Sequence, residues 1–228
     1  DSFFKQLDYL QENYSIVSAQ EVINSIKGKS KLPKNACWLT FDDGYKDHYE
    51  FVMPELIKRN ICGAFFPPKI AIQNDVLLDV NSIHYILACC KKIPDLVNRV
   101  QSLSRYHGIS QSQLDQYWLE YAVANRWDNK NVIFVKRMLQ HILPESIRNE
   151  IVSILFKEYV GLSQADFSKE LYMSISDIKS MISKGMFIGS HGSRHYWLNK
   201  ISDEHQKKDI IESLSFLEEV GGPTKDWI

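Results

Sequence analysis

No stretch of this chain stays apolar long enough to span a bilayer, so a membrane-spanning helix is excluded from the reading. An excess of charge of either sign is also lacking: the net charge is -1, and nothing electrostatic points to nucleic acid or to an acidic membrane surface. Cysteine is scarce, with four in 228 residues. Cys37 and Cys62 lie in apolar, strand-like runs, where cysteine behaves as a small hydrophobe, and Cys89 and Cys90 are neighbours without metal-ligand spacing. That pattern is no disulfide framework, and it favours a reducing compartment, the cytoplasm over the periplasm or the exterior. No signal-peptide pattern opens the chain, which starts at Asp1 rather than Met and so leaves the compartment open. What remains is 44% hydrophobic and 24% charged, a globular composition with room for one sizeable core and an elaboration.

In order, the chain alternates at first. Phe3, Phe4, Leu7 and Leu10 have helical spacing, Ser15 to Val17 reads as a strand, and Ser18 with Glu21 forms a capping box for a helix through Ile26. A lysine-rich loop leads to the strand Ala36 to Phe41. A helix is predicted from Asp47 to Arg59, kinked or started late by Pro54, with Tyr49, Val52, Met53, Leu56 and Ile57 on its apolar face and His48 towards solvent. Ile61 to Phe66 then reads as a buried strand closed by Pro67 and Pro68. Strand, helix, strand is the unit of a parallel sheet.

From about Val80 to Phe167 the pattern is helical throughout, with stripes such as Ile83, Ile86 and Leu87, or Leu114, Trp118 and Tyr121. Trp118 and Trp127 are expected to form a small core there, and no repeat or flexible linker interrupts the block. The α/β pattern resumes near Leu171: a helix capped by Ser176 and closed by Gly185, a buried strand Met186 to Gly189, and a last helix from Ser202 to about Val220. Gly221 to Ile228 reads as a turn entering a new strand. The expected organisation is therefore 1–79, 80–170 as a helical insertion, and 171–228 continuing the first part.

Two stretches carry chemistry. Thr40-Phe41-Asp42-Asp43-Gly44 places two adjacent carboxylates at a strand end, followed by a glycine that lets the backbone turn. Like charges side by side are costly without a positive partner, and a metal ion is the simplest one. Read alone, the segment fits a solvated turn equally well. The second stretch, His191-Gly192-Ser193-Arg194-His195, also follows a strand. Four residues apart on a helical turn, its imidazoles would project together at about 6 Å. With Asp43 they make a two-histidine, one-carboxylate set that leaves a position for water. Both stretches lie at carboxyl ends of strands, where open sheets and barrels place their sites.

Thr40 to Tyr45 and Ser190 to His195 resemble the first two motifs of the polysaccharide deacetylases, the NodB-homology group or carbohydrate esterase family 4, and the likeness extends over Trp38 to Phe66 and Met186 to Ser202. The resemblance implies a distorted (β/α) barrel with a large helical insertion. It implies Asp42 as general base, and Asp43, His191 and His195 as ligands of a divalent ion, most often zinc. The implied activity is hydrolysis of the linear amide of N-acetylated amino sugars in a surface or exported polysaccharide or oligosaccharide. A non-catalytic or truncated member that binds a sugar chain or a protein partner is the alternative, and a small-molecule amide hydrolase is a third. Gly192 stands where many members carry Thr or Ser, a variant that resembles the branch acting on surface polysaccharides. The later family motifs, including the histidine that serves as general acid, are missing, so the sequence is expected to be C-terminally incomplete. Lys69, Tyr196 and Trp197 lie near the same rim, and His84 in the helical block reads as a packed or partly exposed residue rather than a ligand.

Overall fold

Residues 2–227 are described by a computed structural model, and they divide into two units. One comprises the residues up to Val76 and those from Ser168 onward, and the other runs from Leu77 to Phe167.

The first unit begins with helix α1 (Ser2–Asn13), strand β1 (Ser15–Val17) and helix α2 (Ala19–Ile26). The Ser18 hydroxyl accepts the Glu21 N–H while the Glu21 carboxylate accepts the Ser18 N–H, which is the capping box that starts α2. The run from Ala36 to Phe41 is not one strand. It divides at Leu39 into β2 (Ala36–Trp38), which pairs with β1, and β3 (Thr40–Asp42), which pairs with β4 (Ala64–Phe66). Nor is β3 buried: Thr40 and Asp42 are exposed, and the half-buried Phe41 stacks on Phe65 at 4.8 Å.

The helix predicted after the acidic pair is a π-helical turn (His48–Val52) that runs into α3 (Met53–Lys58). Pro54 stands at the start of α3, directly after the π-helical turn. Met53 and Leu56 face the core, but Ile57 is 40% exposed and does not belong to the apolar face. After β4 comes the short helix α4 (Lys69–Gln73).

The second unit is helical. It holds α5 (Asp79–Cys89), α6 (Ile93–Tyr106), α7 (Gln111–Tyr121), α8 (Lys130–Arg137) continued by a π-helical turn (Met138–Ile142), and α9 (Glu145–Val160). α5 packs along α9, and Ile83, Ile86, Phe134, Met138, Leu155 and Phe156 are fully buried. Trp118 meets the edge of Phe134, whereas Trp127 is 77% exposed beneath the Arg126 guanidinium and takes no part in that core. Ile133, Phe134 and Val135 of α8 are buried as well.

The division between units falls within α10 (Gln164–Leu171). Then follow α11 (Ile175–Ser183), β5 (Phe187–Ile188), a 3₁₀ turn (Leu198–Lys200) and α12 (Asp203–Val220). The cap of α11 is Ser174, not Ser176, because Ser174 has the acidic residue three places on: its hydroxyl accepts from Asp177 N–H and the Asp177 carboxylate accepts from Ser174 N–H. The described residues after α12 form turns and no strand.

The sheets are parallel, with orders β1-β2 and β3-β4-β5. In the larger one Thr40 pairs with Ala64, and Ala64 with Phe187, so β3, β4 and β5 end at one edge. Leu7, Met53, Leu56, Phe65, Ile178, Met181 and Ile188 pack with Phe216, Leu217 and Val220 of α12 as the core of this unit. The family resemblance implies a distorted (β/α) barrel; among the described residues the parallel α/β pattern is present and no closed barrel is found. Closure requires every strand to have two neighbours, and β1, β2, β3 and β5 each have one.

Candidate metal centre

Beyond β3 the backbone turns through two consecutive left-handed residues, Asp43 at φ +68° and Gly44 at φ +72°. Glycine is required at 44 by more than its φ: a Cβ there would lie 2.8 Å from Cβ of Pro67, just past β4. Asp43 has no such freedom, and its strained conformation aims the carboxylate across the sheet edge. Tyr45 steadies it by donating its hydroxyl to Asp43 Oδ2 at 3.2 Å.

Beyond β5 the chain enters a loop. His191 and His195 are not on a helical turn: Gly192 at φ +76° and His195 at φ +58° fold the segment back on itself. The rings therefore come closer than a helix would bring them, with centroids 4.7 Å apart and their Nε2 atoms at 3.0 Å. Asp43 Oδ1 lies 3.4 Å from His191 Nε2 and 3.5 Å from His195 Nε2. Three donor atoms thus mark a triangle with edges of 3.0 to 3.5 Å. Ligands about 2.0–2.1 Å from a tetrahedral zinc stand about 3.3 Å from one another, so the donor set fits such an ion in type and in spacing. Among the described residues this is the group of histidine and acidic side chains able to share one ion.

The electrostatics agree with the spacing. Burial alone would raise the Asp43 pKa, but the hydrogen bond from His191, the charges of both histidines and the Tyr45 hydroxyl outweigh it and hold the carboxyl below its ordinary range. His191 is raised, chiefly by its hydrogen bond to Asp43. His195 is lowered, first by burial and then by the neighbouring His191. The negative charge of Asp42 reaches both imidazoles, and its own side chain is exposed at the end of β3. All four residues named from the sequence are therefore together at one rim.

His48 is the residue that sequence reasoning misplaced. It is 9% exposed, packed against the rings of Phe41, Tyr45 and Phe65 at 5.5 to 5.7 Å, and its Nδ1 is buried without a partner. Burial lowers its pKa to about 4 against the opposing pull of Asp43, Asp47 and Asp42. The π-helical turn is what rotates it inward: the wider turn shifts the face on which position 48 falls. Lys69 is half-buried at the start of α4, while Trp197 is 44% exposed beyond the loop and His84 is exposed on α5. No helix among the described residues is long and apolar enough to cross a membrane.

Two histidines and a carboxylate thus lie at the carboxyl edge of a parallel α/β sheet, the place where open sheets of this kind bind ligands. The family described as polysaccharide deacetylase matches residues 145–228, which include His191 and His195 but not the acidic pair. No curated protein sequence matches the chain. Among solved structures, IcaB from Ammonifex degensii has a TM-score of 0.50 at 18% identity, over 97% of this chain and 61% of its own. The deacetylase PplD of Streptococcus pyogenes gives 0.47 at 14% identity, over 94% and 54%, and a de-N-acetylase from Aggregatibacter actinomycetemcomitans gives 0.45 at 15%, over 96% and 62%. The chain thus spans less than two thirds of the length of each of these proteins. The family match thus covers the C-terminal part of the chain, and the likeness to IcaB is one of fold.

Proposed function

We propose that this chain carries the site of a metal-dependent hydrolase that removes N-acetyl groups from amino sugars of a surface or exported polysaccharide. The observation that carries the reading is the triangle of Asp43 Oδ1, His191 Nε2 and His195 Nε2, with edges of 3.0 to 3.5 Å and Asp42 beside it. A divalent ion, zinc by the softness and number of these donors, supplies Lewis acidity towards an amide carbonyl and lowers the pKa of a water.

The two aspartates divide the remaining work by position. Asp43 is turned inward by its left-handed backbone and tied to Tyr45 and both histidines, so it holds rather than transfers charge. Asp42 is exposed on β3 and is assigned the proton of the attacking water. Phe41, between Phe65 and His48, keeps the base of the site dry. The parallel strands support reading this unit as part of a distorted (β/α) barrel. The helical block, entered after Val76 and left before Ser168, fits an insertion into it.

The test pairs zinc uptake, followed by equilibrium dialysis, with acetate release from N-acetylglucosamine oligomers. Asp42→Asn is expected to retain zinc and lose acetate release by on the order of 10²–10⁴-fold. His191→Ala is expected to lose zinc affinity by on the order of 10²-fold or more. Zinc bound without acetate release in the unaltered protein replaces hydrolysis with the sugar- or partner-binding alternative, and failure to take up any divalent ion refutes the metal centre itself.

A further inference from the structure

The loop bearing His191 and His195 has no regular secondary structure, yet it is held from two sides. Its carbonyls face α4: the N–H groups of Lys69 and Ile70 donate to Gly192 O at 3.3 Å and Ser193 O at 2.9 Å. Its amides face α12: the N–H groups of Ser193 and Arg194 donate to Oδ2 and Oδ1 of Asp209 at 2.9 and 2.8 Å. Asp209 is 4% exposed, so its carboxylate has left water and each oxygen is matched to one loop amide. One turn along the helix, Glu212 accepts the Ser193 hydroxyl at 2.8 Å, and Ser193 is 2% exposed.

Gly192 belongs to the same arrangement. Its φ is +76°, and a Cβ there would stand 2.8 Å from Asp209 Oδ2. A side chain at 192 would push away the carboxylate that bonds the very next amide. The absence of a side chain at one position and the carboxylate at the other are therefore matched to each other.

We propose that Asp209 is a positioning residue for the metal centre: its carboxylate locks residues 192–194 and thereby sets the separation of the His191 and His195 rings. The inference deepens the metal reading of those histidines, although the clamp is formed by protein groups alone. Charge-assisted bonds to backbone N–H groups are stronger than neutral ones, and removing the acceptor leaves two loop amides unpaired, the buried one of Ser193 and the part-buried one of Arg194. The loop then relaxes, and two rings whose nitrogens must stay about 3 Å apart are no longer held there.

The decisive variants are Asp209→Asn and Asp209→Ala, with Glu218→Gln on the exposed side of α12 as the control. In the metal-free protein, hydrogen exchange at the Ser193 and Arg194 amides is expected to speed up in both variants. The nuclear Overhauser contact between the His191 and His195 rings is expected to weaken. Zinc affinity, measured by competition with a chromophoric chelator, is expected to fall about 10–100-fold. Glu218→Gln is expected to leave all three readouts unchanged. Asp209→Asn has the shape of the native side chain and one remaining acceptor, so it decides the matter if Asp209→Ala does not fold. A folded Asp209→Asn protein that keeps its amide protection and ring contact, or binds zinc within twofold of the native protein, overturns the proposal. Should the native protein take up no zinc, the metal reading fails, and the metal-free measurements still decide whether Asp209 positions the rings.

Discussion

His48 should make this protein acid-labile in a measurable way. The imidazole is 9% exposed among Phe41, Tyr45 and Phe65, with its Nδ1 unpartnered, and its pKa is lowered from 6.5 to about 4 by burial. A group whose folded pKa lies below its unfolded value binds a proton more readily after unfolding. Stability therefore falls as pH drops through 6.5 and stops falling below about 4. At about 1.4 kcal/mol for each pH unit the full interval corresponds to about 3 kcal/mol, and the part lost between pH 7 and pH 5 is about 2 kcal/mol. That is a large share of a stability of about 5–15 kcal/mol.

The perturbation is His48→Leu, which keeps an apolar side chain of similar size and removes the titrating ring. Carboxylates and the other histidines contribute to the pH dependence of both proteins, so the informative quantity is the difference between them. Urea unfolding of the metal-free proteins should show the native chain losing about 2 kcal/mol more than His48→Leu between pH 7 and pH 5. Carbon-13 shifts of the His48 ring should place its midpoint near 4, the value set by its burial. Parallel pH profiles for the two proteins, or a midpoint near the ordinary histidine value, would refute the argument that His48 is buried neutral.

Other outcomes follow from single positions. Gly44→Ala must hold an alanine at φ +72° with its Cβ 2.8 Å from Pro67, and is expected to cost about 1–3 kcal/mol in urea unfolding together with weaker zinc binding. Ser174→Ala removes the hydroxyl half of the α11 capping box and is expected to cost about 1 kcal/mol, whereas Ser176→Ala, already inside the helix, should stay within about 0.5 kcal/mol. Equal losses at both serines would return the cap to position 176.

What was legible in the sequence was local. Ser18 with Glu21, and Ser202 ahead of α12, announce helix starts because a cap and the amide it serves are only three residues apart. The acidic pair and the two histidines were legible as chemistry, because few arrangements tolerate such groups at the ends of strands. Where the reading went astray, a distant strand partner or a change in the local helical turn had intervened. The run from Ala36 to Phe41 looks continuous, yet its two halves pair with different partners, β1 and β4. His48 follows a helical pattern that puts it outside, and the π-helical turn puts it in the core.

By itself, then, the order of residues determined the caps of α2 and α12, the alternation of strand and helix, and which side chains could hold an ion. Only the tertiary structure decided that they meet, since β4 lies between β3 and β5 and brings Asp43 within 3.5 Å of imidazoles 148 and 152 residues away. The same is true of Asp209, an ordinary helix acid in sequence, whose carboxylate is opposite two loop amides only because α12 packs back against the sheet. Local preferences act over a few residues, whereas register and burial are set by whatever the folded chain places alongside.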